Sequence, residues 1–356
     1  MTQIGLIIGS GTGRELGNVF KQCVYRIAHI LEREVEVVEC TYEFKSYNAL
    51  RNLDYKDIKQ HIEQELNFLM HFYRNFYHSG GRAIFKTAIN AETLYKFRRL
   101  GKAVKVVPIL VPGMEKQILM VRDQMQGFYV NDECNLEGDK LHFTGSLTKD
   151  NLELIITFAL TETKLILRNP FDVWIIYKHH LFANLIETWA RSIHKEVHIY
   201  QPNHATELLF RYFREGDKDL LIITGNEVGD ILHEVLMFHL GLGTRNTLYS
   251  KNVYLQDELR GLIEYQTVHG SADDVAGKGV VNPFATLRAT GALLEDCLHE
   301  KGFTTTMENA LKQAEKERIV TPDMGGNSTI FEVTEYVLSQ FEKLLKGDIV
   351  HGTGKI

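Results

Sequence analysis

His269-Gly270-Ser271-Ala272-Asp273-Asp274-Val275-Ala276-Gly277-Lys278-Gly279 runs into Val280-Val281-Asn282-Pro283 and then a helical stretch, Phe284–His299. Glycines, a lysine and two adjacent aspartates make this a long polar loop with no apolar period of its own. Such a loop can wrap a nucleotide. Its glycines let the backbone come close to a ligand, and an aspartate can accept both hydroxyls of a ribose. An ordinary surface turn has the same composition, and the residues by themselves leave both readings open.

Working outward, a second glycine cluster, Gly9-Ser10-Gly11-Thr12-Gly13, lies between the apolar run Ile4–Ile8 and the amphipathic stretch Leu16–Glu34. It invites a Rossmann reading, but that pattern needs G-x-G-x-x-G, and residue 14 is Arg. Nor does a clear acidic residue end the next strand where expected; Glu39 is the nearest candidate. The cluster is better read as a tight strand-to-helix turn. Short β-branched runs recur at Val35–Val38, Val104–Leu110, Val173–Tyr177, Val197–Tyr200 and Leu220–Ile223, and several are apolar throughout, as strands buried on both faces should be. Helical patterns such as Asp57–Asn75 and Leu181–Ser192 alternate with them, which predicts an α/β fold on a largely parallel sheet. Val130–Leu147 differs: Gly138-Asp139 followed by the alternating Leu141-His142-Phe143-Thr144 predicts a β-hairpin, either a dimer arm or a surface excursion. There is no internal repeat and no Pro/Gly/Ser-rich linker, so composition marks no domain boundary.

Over 356 residues the chain is 44% hydrophobic and 24% charged, enough for a large core or two subdomains. A net charge of −6 argues against nucleic acid as a partner, which would need a basic domain or stripe. Cys23, Cys40, Cys134 and Cys297 are scattered, without the C-x-x-C spacing of a zinc or redox site. The N-terminus lacks the basic and long apolar regions of a signal peptide, and no apolar stretch approaches the roughly 20 residues of a membrane span. The expected location is cytoplasmic.

The loop at 268–283 resembles the coenzyme loop of the β-decarboxylating dehydrogenases, the isocitrate and 3-isopropylmalate enzymes, V-H-G-S-A-P-D-I-A-G-K-G-x-x-N-P. Other stretches agree in order and spacing. Ile4–Glu15 resembles I-x-x-x-P-G-D-G-I-G-P-E, Gly229-Asp230-Ile231-Leu232 resembles G-D-I-L-S-D, and Thr321-Pro322-Asp323-Met324-Gly325-Gly326 resembles T-P-D-L-G-G. The resemblance spans essentially the whole chain. It implies the isopropylmalate dehydrogenase-like fold: two α/β subdomains, a central largely parallel sheet and a cleft between them. Residues 1–102 with 249–356 would form the coenzyme side, and 103–248 the dimerising side with the hairpin arm near 130–147. It also implies NAD as cofactor. His269 and Asn282 would meet the adenine, Asp274 the ribose hydroxyls, and Gly270, Ser271, Ala272 and Val275 would complete the loop. An acid at Asp274 repels a 2′-phosphate and so favours NAD over NADP.

The family oxidises a malate-like 2-hydroxy acid and then loses the carboxylate β to the new ketone. That chemistry needs a base, an acid for the enolate carbon and a metal to polarise the C2 oxygen. By the resemblance Tyr129 is the acid and Lys178 the catalytic lysine. Arg98 and Arg122 clamp substrate carboxylates by bidentate contact. Leu94 sits on the substrate-selecting helix, beside Glu92 and Tyr95. Lys178 would cross from one subunit to the other, so a homodimer with shared active sites is implied. Asp230 and Glu234 stand four apart, on one helix face, and with Asn203 would hold Mg²⁺ or Mn²⁺.

The chain departs from the pattern at several of these places. Asn203 stands where the family has a metal-binding aspartate, and an amide cannot serve as a base. Val107 stands where a second substrate arginine is expected, with Lys105 as a nearby substitute that lacks the planar fork. His179-His180 replaces Ala-Asn after the lysine, Ser10 replaces an aspartate and Arg14 a proline. Three functions therefore stay open: an NAD-dependent dehydrogenase that also decarboxylates, oxidation without decarboxylation, and a non-catalytic NAD-binding or regulatory homologue. The substrate itself is not named by the sequence.

Overall fold

The computed structural model describes residues 1–110, 116–128, 130, 133–167, 169–215, 218–241, 248–268 and 270–351. In chain order its elements are β1 (Thr2–Ile7), α1 (Gly13–Ile30), β2 (Val35–Glu39), α2 (Tyr47–Leu50), α3 (Tyr55–His78), β3 (Ala83–Lys86), α4 (Ala91–Leu100), β4 (Ala103–Leu110), β5 (Gln117–Asp123), β6 (Glu133–Glu137), β7 (Lys140–Thr144), α5 (Lys149–Ile166), β8 (Phe171–Ile176), α6 (Ala183–Ile193), β9 (Val197–Tyr200), α7 (Pro202–Glu215), β10 (Asp219–Gly225), α8 (Asn226–Leu240), β11 (Tyr249–Tyr254), β12 (Ile263–Thr267), α9 (Phe284–Leu298), α10 (Phe303–Lys316) and α11 (Ile330–His351). They fall into two compact units. The first is Met1–Leu94, Thr244–Lys251 and Gly261–Ile356; the second is Tyr95–Gly243 and Asn252–Arg260. Against the expected division, residues 95–102 and 252–260 pack with the second unit.

In the first unit the strand order is β2-β1-β3-β12, parallel throughout. The core follows from the apolar stripe of α1. Leu16, Val19, Phe20, Cys23, Val24 and Ile27 recur at helical spacing and are buried, with Phe20 stacked on Phe85 of β3 at 4.4 Å between ring centroids. Helices α9, α10 and α11 add Phe284, Leu293, Met307, Leu311, Val337 and Phe341 to that core. Among the described residues the longest helix is α3, capped by Asp54, whose carboxylate accepts from the Asp57 amide and satisfies a first-turn donor.

In the second unit the order is β4-β5-β10-β8-β9. All neighbours are parallel except β4 and β5. Successive side chains of a strand face opposite ways. Leu119 and Val121 of β5 therefore enter one core with α5 and α6, while Ile118 and Met120 enter another with α7 and α8. Both faces are covered, which is why these strands read as continuous apolar runs. The expected hairpin is present as antiparallel β6 and β7, with the Lys140–Thr144 side chains exposed. Among the described residues no helix is long and apolar enough to cross a membrane. The described cysteine side chains, Cys23, Cys40 and Cys297, are free thiols.

Candidate functional site

The polar loop of the first unit is built against the turn that opens α1. The Thr12 amide and hydroxyl both donate to the Ser271 carbonyl, at 3.0 and 2.9 Å. Gly11, in the left-handed region at φ 75°, lies so close that a Cβ would stand 2.6 Å from that same oxygen. Asp273 Oδ2 accepts from Ser271 Oγ at 2.7 Å and from Asn48 Nδ2 at 2.9 Å. Burial pushes the Asp273 carboxyl up, but hydrogen bonds from Ser271, Asn48 and Ser46 outweigh it and hold the group below its usual range. Further along, Glu15 accepts from the Gly277 amide at 2.9 Å and the Gly279 amide at 3.0 Å. The loop is anchored at its end as well. The Ile330 amide donates to the Gly279 carbonyl at 2.8 Å, and Asn282 donates to Asp323 at 2.9 Å while accepting from the Phe284 amide at 2.9 Å.

Ser271, Ala272, Val275 and Asn282 are thus brought into one loop, and Gly270 and Asp274 lie on its exposed side. His269 lies outside the described residues. Nothing stands within 4 Å of where a Cβ would be at Gly270, Gly277 or Gly279, so the backbone there is open to close approach. Asp274 is exposed on the loop, three residues before Gly277, and a carboxylate so placed can accept the paired hydroxyls of a ribose. Thr12, Glu15, Asp273 and Asp323 join this loop as residues beyond those the family resemblance implies. The Thr12-x-x-Glu15 spacing was the available signal.

The second cluster lies in the second unit, around Arg122 at the end of β5. Arg122 is 3% exposed. Its Nη2 meets Asp230 at 3.1 Å and donates to Asn226 Oδ1 at 2.6 Å and to the Asn226 carbonyl at 3.0 Å. The stem crosses α8 at Gly229, where a Cβ would stand 2.7 Å from Arg122 Cγ; a glycine is needed for this close approach. Desolvation pulls the Arg122 guanidinium below its usual pKa, Asp230 opposes that, and Tyr95 and Arg98 act on it from α4. Lys105 faces Arg122 directly across the β4/β5 pair, whereas Val107 faces Met120 in apolar surroundings. Arg98 and Lys105 are buried, as is Leu94.

Beside Arg122, Asp123 is wholly buried and accepts from the Met125 amide at 2.9 Å, Gln126 Nε2 at 2.8 Å and Tyr177 Oη at 2.8 Å. Burial pushes its carboxyl up to about 6, against those hydrogen bonds. Tyr177 is in turn pushed well above its usual value by burial and by Asp123. The pair ties the end of β5 to the end of β8, one residue before the exposed Lys178. Tyr129 lies outside the described residues. His179, buried, meets Gln201 at 3.1 Å.

A divalent cation of the Mg²⁺ kind wants a shell of oxygen ligands. Here Asp230 lies against Arg122, Glu234 and Asn203 are exposed, and Asn203 is neutral. Among the described residues no three His, Cys, Asp or Glu side chains gather as a metal set. Among the described residues of a single chain, Asp230, Glu234 and Asn203 do not by themselves complete such a shell.

Residues 93–338 match the family model described as isocitrate/isopropylmalate dehydrogenase. A homoisocitrate dehydrogenase of Methanocaldococcus jannaschii is 30% identical over 240 residues, 65% of this chain and 64% of that protein. A 3-isopropylmalate dehydrogenase of Neurospora crassa is 27% identical over 243 residues, 64% of each chain. The chain thus matches just under two thirds of the length of these relatives. Among solved structures, isocitrate dehydrogenase from Methylococcus capsulatus superposes with a TM-score of 0.65 at 19% identity, covering 96% of this chain and 100% of that one. A β-decarboxylating dehydrogenase from Thermococcus kodakarensis gives a TM-score of 0.62 at 19% identity over 98% of this chain and 99% of that one. These likenesses establish the fold expected from the sequence, distinct from the Rossmann arrangement.

Proposed function

The chain belongs to the isocitrate/isopropylmalate dehydrogenase family, and from that premise we propose that it is an NAD-dependent oxidoreductase that oxidises, and decarboxylates, a malate-like 2-hydroxy acid. The observation that carries this reading is the group of buried cations in the second unit. Arg122 has Lys105 opposite it across the strand pair, and Arg98 lies within electrostatic reach. Buried cations at a strand end suit a substrate with more than one carboxylate. Val107 leaves the expected second arginine missing, and Lys105 fills that role as a point charge rather than a fork.

When bound, NAD supplies the hydride acceptor. Asp274 holds the adenosine ribose and excludes a 2′-phosphate, and the loop from Gly270 to Asn282 holds the rest of that half of the dinucleotide. Arg122, Arg98 and Lys105 orient the substrate carboxylates. Lys178 takes the hydroxyl proton, and Tyr129 returns a proton to the enolate carbon after the carboxylate leaves. Asp123 and Tyr177 hold the strand end that carries Lys178. The active unit is a homodimer with shared sites. Ile231 and Phe238, one heptad apart on α8 and 66% and 91% exposed, support a helix face covered by a second copy.

A nucleotide-binding homologue without turnover is favoured by one observation: Asp230 is engaged by Arg122, and Asn203 cannot replace the missing carboxylate charge. Formation of NADH, followed by absorbance with NAD, Mn²⁺ and a panel of isocitrate, 3-isopropylmalate, homoisocitrate and tartrate, separates the two. Turnover on any of them establishes the enzyme and shows Asn203 to be tolerated. Silence across the panel, shared by Asn203→Asp while NAD still binds, favours the homologue.

A further inference from the structure

We propose that Thr12 and Glu15 form an internal clamp that presets the 271–279 loop for its dinucleotide, with Glu15 a positioning residue for coenzyme affinity. The proposal rests on the NAD reading above and goes beyond it by assigning residues outside the loop.

Thr-x-x-Glu at the start of a helix is the sequence of a capping box. In that motif the hydroxyl satisfies the N3 amide and the carboxylate reaches back to the N-cap amide. In α1 neither happens. Thr12 stands at the N-cap in the right-handed helical region, φ −74° and ψ −1°, and its side chain makes no cap bond. Its hydroxyl goes instead to the Ser271 carbonyl, 259 residues away in sequence. Glu15, the N3 residue, spends both carboxylate oxygens on another loop: Oε2 on the Gly277 amide and Oε1 on the Gly279 amide. Gly277 and Gly279 lie in the left-handed region, at φ 75° and 68°, and this turns both amides toward one anion. The helix forgoes its local cap so that two of its first residues can hold a glycine-rich segment still.

Glycine loses more conformational freedom on ordering than any other residue, so a glycine loop left mobile would weaken a ligand that has to order it. A carboxylate that spans two amides places that ordering in the folded protein before the nucleotide arrives. Its charge also sits favourably in the first turn of α1. A carboxamide cannot do the same. Gln keeps one acceptor oxygen and turns an N–H donor toward the second amide.

The test uses the full chain and NAD. In Glu15→Gln, NAD affinity measured by calorimetry should fall roughly tenfold, the loss of one charge-assisted hydrogen bond. Hydrogen exchange at the 277–279 amides, measured without nucleotide, should speed up. Arg14→Gln, at an exposed neighbour paired with Glu43, should match the parent in both. If E15Q binds NAD as tightly as the parent while only its Tm falls, Glu15 is merely structural and the clamp is wrong. Unchanged exchange at 277–279 overturns it equally. Should the parent itself bind no NAD, the functional reading fails, and the exchange measurement still decides the clamp in either direction. If E15Q does not fold, Thr12→Val removes the hydroxyl on Ser271 without a change of charge and is judged by the same two readouts.

Discussion

Around the loop at 270–282, the groups being held are mostly backbone amides and carbonyls, and the groups holding them are side chains from elsewhere in the same unit: Thr12, Glu15 and Asp323. Around Arg122 the roles reverse. Charged side chains are buried, and they are held by one another and by strand and helix ends: Asp230, Asn226, Asp123 and Tyr177. The two regions carry different costs of change. A backbone loop keeps its shape only with particular residues, chiefly glycines, so its sequence stays recognisable. A charge cluster can be rebuilt with other side chains so long as charge and hydrogen bonds still balance. Of this chain's departures from the family pattern, Val107 for an arginine, Asn203 for an aspartate and His179-His180 after Lys178 lie in the unit that holds Arg122, while Ser10 and Arg14 lie at the turn that opens α1.

The sharpest way to separate the regions is Lys178→Ala. Turnover should fall by about 10²–10⁴-fold, the span of a lost general base, while NAD affinity measured by calorimetry stays at the parent value. An equal loss in both would mean that the two regions do not act separately.

Asp123 gives a smaller effect with a definite sign. Its carboxyl is raised to about 6 from a usual 3.8. The folded chain therefore holds that proton more tightly than the unfolded one. The contribution is fully present below the unfolded value and is lost as pH rises through the folded value. The stability of the parent relative to Asp123→Asn, measured by urea unfolding, should fall between pH 4 and pH 7 by on the order of 3 kcal/mol. A pH-independent difference would mean that Asp123 stays ionised in the fold, and that the second region is less desolvated than its burial indicates.

The smallest expected change is at the exposed rim of the loop. Asp274→Ala should weaken NAD by roughly tenfold and narrow its advantage over NADP, because one side chain then loses both ribose hydroxyls. If the NAD/NADP ratio does not move, Asp274 does not read the ribose, and the loop's selectivity lies in its backbone.

Much of this was legible residue by residue. The stripe Leu16–Ile27 and the apolar runs of β4, β8, β9 and β10 have the periods that their packing requires. Other strands were hidden. β3 is four residues long, and β12, Ile-Glu-Tyr-Gln-Thr, carries Glu264 and Gln266 into the interior, where a buried strand is expected to be apolar. In β5 the apolar Ile118–Val121 is too short for its period to tell strand from helix. At the candidate site, glycine spacing made the loop visible. The role of Glu15 is hidden in sequence because the Thr12-x-x-Glu15 pattern points to its own helix.

By itself the sequence determined the family, the α/β alternation, the parallel core strands and the position of the polar loop, because each depends on local period, on glycine or on residues close together in the chain. Only the tertiary structure decided which partners those residues take. It put Glu15 on amides more than 260 residues away, Lys105 opposite Arg122, and Tyr177 on a buried Asp123. Such pairings depend on strand register and on which groups lose their water together, and neither is set by neighbours in sequence.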